Sequence, residues 1–158
     1  ASSIRSDARR EAFKLKENMC IYTGENLSTE LLIIGLGVTY HVHDPQQGGV
    51  NVGSLKWEGL KSILRDEWLF LDPAGRQIGK IQEDSTALAL LRRLVVGWLL
   101  PQKYFGSIGN TPVSLFTRNF NPFVSKVQLD YSMDTQGLLD RRLGIAAAVL
   151  LLAIEGKQ

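Results

Sequence analysis

The sequence predicts an α+β fold, an antiparallel β-barrel of hairpins that encloses a hydrophobic helix near the end of the chain. Three observations support this prediction: apolar residues that alternate with period two, a repeated hairpin pattern, and a final apolar segment without a polar face. The chain has 158 residues, of which 44% are hydrophobic and 22% charged, so we expect one domain over 1–158. This composition excludes a disordered chain, a collagen-like protein and a polytopic membrane protein.

The first predicted strands follow a polar segment. Residues 1–12 contain no apolar run, which predicts a tail or docking segment and gives no signal-peptide pattern. From Phe13 the period changes to two, which predicts one strand through Met19 and Ile21, a turn at 24–26 and a second strand at 30–34. The single cysteine excludes an internal disulfide and favours a reducing compartment.

An internal repeat predicts two equivalent hairpins, at 40–55 and 68–81. In each copy an aromatic residue opens a strand, an Asp-Pro pair starts the turn, and a strand with an internal glycine returns. The repeated residues are Tyr40, Asp44, Pro45 and Gly53 in the first copy, and Trp68, Asp72, Pro73 and Gly79 in the second.

A helix and three strands are predicted after the repeat. Asp84 and Ser85 are candidate N-caps for a helix at 86–96, whose apolar residues recur at i, i+3, i+4 and i+7. Pro101 must end any helix that reaches it. Three further strands are predicted at 104–108, 113–116 and 124–131.

The segment 143–154 has twelve residues without a polar side chain, which predicts a helix that is apolar on all sides. Such a helix is about 18 Å long and is too short for a bilayer core of about 30 Å. We therefore expect protein to surround it on every face, and in a chain of hairpins that wall is a β-barrel.

Two cations stand at the start of this helix, next to Asp140, its candidate N-cap. Arg141 and Arg142 oppose the helix dipole, so we expect a negative group close to them. A bound anion would serve, but carboxylates of the chain are favoured. The candidate carboxylates are Asp130, Asp134 and Asp140.

Six short segments carry a resemblance to the tubby-like superfamily, which includes the tubby C-terminal domain, phospholipid scramblases and LURP-one-related proteins. The chain looks most like the bacterial scramblase-related or LURP-one-related branch, over about 12–158. Its motifs are structural rather than catalytic. The segments are AFKLKE at 12–17, LRDEW at 64–68, IGKIQEDS at 78–85, LRR at 91–93, NPF at 121–123 and LDRRLG at 139–144.

This resemblance implies a twelve-stranded barrel around a C-terminal hydrophobic helix. About nine strands are counted in this sequence, so either the barrel is open or further strands lie outside it. The phosphoinositide-binding motif of tubby proteins is not matched, and no binding residue is carried over from it. The single cysteine and the lack of a clustered acidic loop disfavour the calcium-triggered lipid flipping of scramblases.

Residues with chemical potential are expected to be structural. His41 and His43 could share a metal ion from one strand face, but the chain has no other histidine, so solvent-facing side chains are favoured. Cys20 is expected to be an inert buried thiol. No nucleophile elbow, phosphate-binding loop or zinc-binding helix motif is present. We expect no enzymatic activity, no cofactor and no metal, and a net charge of only +2 disfavours a nucleic-acid partner.

One electrostatic anomaly points to a partner, because residues 85–129 contain five cations and no acid. It favours a non-enzymatic module that binds anionic phospholipid headgroups at the cytoplasmic membrane surface. The alternative is a structural or protein-interaction scaffold whose cations pair with acids elsewhere in the fold, and lipid scrambling or transfer is less favoured. The candidate ligand-binding residues are Arg92, Arg93, Lys103, Arg118 and Lys126.

Overall fold

A computed structural model describes residues 8–9, 18–23, 29–35, 39–58, 67–84, 102–119 and 126–155. These residues form ten strands, one 3-10 turn at Pro45–Gln47 and one α-helix, which confirms the predicted α+β class. In chain order the elements are β1 (Ala8–Arg9), β2 (Asn18–Thr23), β3 (Thr29–Gly35), β4 (Thr39–Asp44), β5 (Val50–Trp57), β6 (Glu67–Leu71), β7 (Gln77–Glu83), β8 (Gln102–Ile108), β9 (Thr111–Asn119), β10 (Lys126–Asp130) and α1 (Arg141–Glu155).

The strands form a single antiparallel sheet in which each strand pairs with its neighbour in the chain. The order runs from β1 to β10 without a crossover, so β1 and β10 are the two edges of the described sheet. β1 was not predicted, because it lies within the polar segment 1–12 and pairs there with Cys20 and Ile21 of β2. The predicted helix at 86–96 lies outside the described residues.

The two predicted hairpins have equivalent registers. Val42 pairs with Gly53 in the β4–β5 hairpin, and Phe70 pairs with Gly79 in the β6–β7 hairpin. In both hairpins the register shifts immediately after this pair, towards the turn, so each returning strand carries a β-bulge. The repeat is therefore confirmed at the level of strand pairing.

The helix α1 packs against strands that are far apart in the order of the sheet. It contacts β10 and also β3, β4 and β5, and it contributes seven fully buried residues. The prediction that every face is buried is wrong for one stripe, because Ile145, Ala148, Leu152 and Ala153 are partly exposed. They recur at i, i+3, i+7 and i+8 and therefore lie on one side of the helix. The fully buried residues are Leu143, Gly144, Ala146, Ala147, Val149, Leu150 and Leu151.

Gly144 allows a close approach to α1. A Cβ at this position would overlap the ring and hydroxyl of Tyr131, which follows β10. The Tyr131 hydroxyl donates a hydrogen bond of 2.9 Å to the carbonyl oxygen of Arg141. A residue without a side chain therefore thins the helix here and admits the tyrosine ring.

Candidate anion-binding surface

The cations whose side chains are described fall into two groups. Five form ion pairs with N···O distances of 2.7–4.0 Å: Lys56, Arg76, Lys80, Arg141 and Arg142. The other three, Lys103, Arg118 and Lys126, form no ion pair in the described part of the chain. All three belong to the acid-free stretch 85–129. Within the described residues, the salt bridges expected of a scaffold are therefore not seen at these three positions.

Strand alternation places Lys103 and Lys126 on one face of the sheet. Tyr104 is buried and points to the core, so Lys103 beside it points to the outer face. Lys103 is opposite Thr117 of β9, and Thr117 is opposite Gln128 of β10, two residues from Lys126. Both lysines are exposed and stand roughly 12 Å apart across β9, since neighbouring strands are about 4.8 Å apart and two residues along a strand add about 6.7 Å.

An apolar side chain adjoins Lys103 on the same face of the sheet. Phe105 lies two residues from Lys103 on the same face and is 39% exposed. It is opposite the half-buried Leu115, which is in turn opposite Asp130 of β10. Among the described residues of β8, β9 and β10, Asp130 is the one carboxylate on this outer face. We call Lys103, Phe105 and Lys126 the lysine surface.

Arg118 lies on the opposite face of the same strands. Its register partners are Gln102 on β8 and Val127 on β10, and the side chain is half-buried. The Arg118 Nη1 donates to Gln102 Oε1 at 3.3 Å, and the Tyr104 hydroxyl donates to the same oxygen at 3.5 Å. Strand alternation thus divides the predicted cation group, with two lysines outside and one arginine inside.

Two of the predicted residues cannot be placed in either group. Arg92 and Arg93 lie outside the described residues. The structure therefore brings Lys103 and Lys126 together, separates Arg118 from them, and leaves the two remaining arginines as predictions.

The cations at the start of α1 are neutralised by carboxylates of the chain. Arg142 bridges Asp140 at 2.7 Å and Asp44 of the β4–β5 turn at 2.9 Å. Arg141 lies 4.0 Å from Asp134, and its guanidinium stacks over the Tyr131 ring at 4.1 Å. Two of the three predicted carboxylates are thus confirmed as partners.

The third candidate, Asp130, accepts a hydrogen bond from the backbone N–H of Ser132 instead. The partner that was not predicted is Asp44, which is 98 residues from Arg142 in the chain. Asp140 caps the helix as predicted, since its Oδ1 accepts from the backbone N–H of Arg142 at 2.9 Å.

Two of these carboxylates have lowered pKa values. Burial alone would raise the pKa of Asp134, but the backbone N–H groups of Leu138 and Leu139 and the charge of Arg141 outweigh it and lower the pKa. The side-chain hydrogen bonds from Arg142 lower the pKa of Asp140. Both carboxylates are therefore ionised at neutral pH, and this end of α1 is internally balanced.

The histidines follow the favoured interpretation. Val42 is fully buried while His41 is exposed and His43 half-buried, so both imidazoles lie on the outer face of β4. His41 Nδ1 is 2.8 Å from the buried Ser54 hydroxyl, and His43 Nδ1 is 3.3 Å from the carbonyl oxygen of Gly49. Within the described residues no group of three or more His, Cys, Asp or Glu side chains is arranged to hold a metal ion.

Comparison with known proteins gives no match: no family model, no curated protein and no solved structure is significantly similar to this chain. In the part of the chain that the structure describes, no helix combines the length and apolar character needed to cross a membrane.

Proposed function

We propose that this protein is a non-enzymatic module that binds anionic phospholipid headgroups at the cytoplasmic membrane surface through its lysine surface. The observation that carries the proposal is the division of the cations whose side chains are described: those outside the acid-free stretch are ion-paired, and those inside it form no ion pair with a described residue. An unpaired exposed cation attracts an anionic surface without first breaking a salt bridge.

The expected affinity is low. A basic residue close to an anionic membrane contributes about 1 kcal/mol, and the attraction decays within a Debye length of about 10 Å at 0.1 M salt. Two lysines on one face therefore give weak binding that depends strongly on ionic strength. Phe105, exposed beside Lys103, adds an apolar contact that salt does not screen.

We propose that the sheet closes around α1 as a tubby-like barrel. Support comes from the strands that α1 contacts, because β10 is at one edge of the sheet and β3 to β5 are at least five positions away from it in the strand order. Arg142 at the start of α1 also reaches Asp44 at the end of β4. A sheet whose distant strands contact one helix must curve around that helix.

Vesicle co-sedimentation tests the headgroup proposal. The chain is mixed with vesicles that contain phosphatidylserine in phosphatidylcholine, or phosphatidylcholine alone, at low and high salt. We expect binding only to the anionic vesicles at low salt, and its loss in the Lys103→Gln/Lys126→Gln variant. The matched control is Lys56→Gln/Lys80→Gln, which removes the same charge from lysines that are ion-paired to Glu58 and Glu67.

The control variant should retain binding, and both variants should keep the melting temperature of the unmodified protein. Equal loss in the two variants would show that net charge alone is responsible. No binding by the unmodified protein at low salt would leave the protein-interaction scaffold as the better hypothesis.

A further inference from the structure

Arg118 is an incompletely satisfied guanidinium on the core-facing side of the sheet. It is half-buried and forms no ion pair within the described residues. Its one hydrogen bond there uses Nη1, at 3.3 Å from Gln102 Oε1. A guanidinium carries five N–H donors in a planar fork. Within the described residues, most of the Arg118 fork therefore has no partner from the chain and can donate to a ligand.

The neighbouring amide is oriented by the same contacts. Gln102 Oε1 accepts from both Arg118 and the Tyr104 hydroxyl, so the Nε2 group of Gln102 is left as a donor. Arg118 and Gln102 face each other across β8 and β9, with Val127 of β10 on the other side of Arg118. Among the described residues, the groups without a partner at this position are therefore donors, and the complementary ligand is an acceptor with negative charge.

We propose that Arg118 and Gln102 form a second anion site, on the face opposite the lysine surface, which takes the oxyanion of a phosphate or carboxylate group. Two parallel N–H···O bonds from the fork fit such a group in the bidentate manner that Arg uses for oxyanions. The site does not depend on the lysine surface and stands even if vesicle binding fails.

Titration with inorganic phosphate tests this site, monitored by NMR at the Arg118 Nε–Hε and Gln102 side-chain amide signals at fixed ionic strength. We expect saturable shifts in the unmodified protein. Arg118→Gln should weaken binding at least about tenfold, because it removes charge-assisted hydrogen bonds. Arg118→Lys should also weaken it, since an ammonium keeps the charge but not the fork. Lys103→Gln/Lys126→Gln should leave the phosphate titration unchanged.

A second variant supplies the missing oxyanion from within the chain. Gln102→Glu places a carboxylate beside Arg118 with almost the same shape, so it should abolish phosphate binding while the protein stays folded. Undiminished phosphate binding in Gln102→Glu or Arg118→Gln would overturn the proposal. Equal loss in the lysine variant would overturn it too, because it would indicate non-specific attraction rather than a site.

Two further experiments identify the source of the anion. Acetate is titrated in place of phosphate, and the Arg118→Gln variant is tested with vesicles that contain phosphatidic acid. Loss of vesicle binding in Arg118→Gln supports the site with a lipid headgroup as ligand. Unchanged vesicle binding with loss of phosphate binding supports the site with a free ion as ligand.

Discussion

The β4–β5 and β6–β7 hairpins share a turn but use its aspartate differently. In both, one carboxylate oxygen accepts the backbone N–H two residues ahead at 2.9 Å, from Gln46 to Asp44 and from Ala74 to Asp72. The second oxygen of Asp72 accepts a hydrogen bond of 2.7 Å from Arg76 Nε in the same turn. The second oxygen of Asp44 accepts a hydrogen bond of 2.9 Å from Arg142 Nη1 in α1.

The difference shows how a repeated local motif acquires a tertiary role. The Asp44 and Arg142 side chains are 8% and 31% exposed, whereas those of Asp72 and Arg76 are 13% and 81% exposed. An ion pair with a mobile, solvated partner contributes little, while one with a shielded carboxylate is costly to break. Only the first hairpin therefore connects the sheet electrostatically to the helix.

Other parts of the repeat remain equivalent. The aromatic residues that open the two hairpins, Tyr40 and Trp68, are in contact with ring centroids 5.6 Å apart. The bulge glycines each admit a backbone group of the next strand. A Cβ at Gly53 would lie 2.6 Å from the carbonyl oxygen of Leu71, and one at Gly79 would overlap the carbonyl oxygen of Ser107. Each hairpin thus packs closely against the strand that follows it, at a glycine that leaves room for a carbonyl oxygen of that strand.

The largest predicted effect tests this equivalence. Gly53→Ala and Gly79→Ala should each destabilise the protein by about 3 kcal/mol, because the new methyl group meets a backbone oxygen that cannot move aside. Gly53 has a φ of 147°, which adds strain at that position. Urea unfolding of both variants gives the measurement.

The controls are Gly48→Ala and Gly75→Ala in the two turns, where a Cβ meets nothing within 4 Å. Both have a φ between 70° and 80°, so they carry only the left-handed backbone cost of about 1–2 kcal/mol. If the bulge variants were no less stable than the turn variants, the close strand approach would not be a packing determinant.

The next prediction concerns the ion pair that Asp44 forms with the helix and Asp72 does not. Arg142→Ala should lower the free energy of unfolding by about 2 kcal/mol, because it leaves the Asp44 carboxylate shielded and without its partner. A double-mutant cycle with Asp44→Asn should show coupling between the two positions. Independent, additive effects in the urea-unfolding data would contradict the proposed connection between hairpin and helix.

The sequence predicts the turns and caps that form within short segments, but it does not predict the ion pair that joins the first hairpin to the helix. The Asp-Pro turns, the bulge glycines and the Asp140 cap follow from residue types at short spacing. The Asp44–Arg142 pair does not, because the two residues are 98 positions apart and no local pattern connects them. The partly exposed stripe at Ile145 and Ala148 was missed because a wholly apolar helix carries no polar residue to mark it.

The candidate site could likewise be predicted only in part from local sequence. The absence of acids from 85–129 identifies Lys103, Arg118 and Lys126 as cations without nearby partners. Which of them share a face depends on the register of β8, β9 and β10, because a shift of one residue would reverse every assignment. Gln102 and Phe105 were missed for this reason, since their relevance comes from the residues opposite them.

A smaller loss in the free energy of unfolding is expected at acidic pH. The pKa values of Asp134 and Asp140 are lowered in the folded protein, so unfolding takes up protons at low pH. Their stabilisation is fully present above the ordinary Asp pKa of about 3.9 and is lost as the pH falls through the lowered values. Urea unfolding between pH 6 and pH 2.5 measures this loss.

Asp134→Asn and Asp140→Asn are the matched variants, and each should be less stable at pH 6 with a shallower decline towards low pH. In Asp134→Asn a single carboxamide oxygen must replace the two carboxylate oxygens that accept from Leu138 and Leu139. A decline as steep as in the unmodified protein would show that other groups dominate acid unfolding.

The smallest effect is predicted for the second hairpin. Arg76→Ala should move the melting temperature by less than about 1 °C, because the Arg76 side chain is 81% exposed and an exposed ion pair contributes little. The pKa of Asp72 should stay below its ordinary value in this variant. The main cause of its lowering is the hydrogen bond from the backbone N–H of residue 76, at 2.9 Å, which an alanine also donates. Carboxyl NMR titration of Asp72 in both proteins measures the pKa directly. An Asp72 pKa that returned to its ordinary value, or a melting temperature as low as that of Arg142→Ala, would show that the two hairpins hold their aspartates in the same way after all.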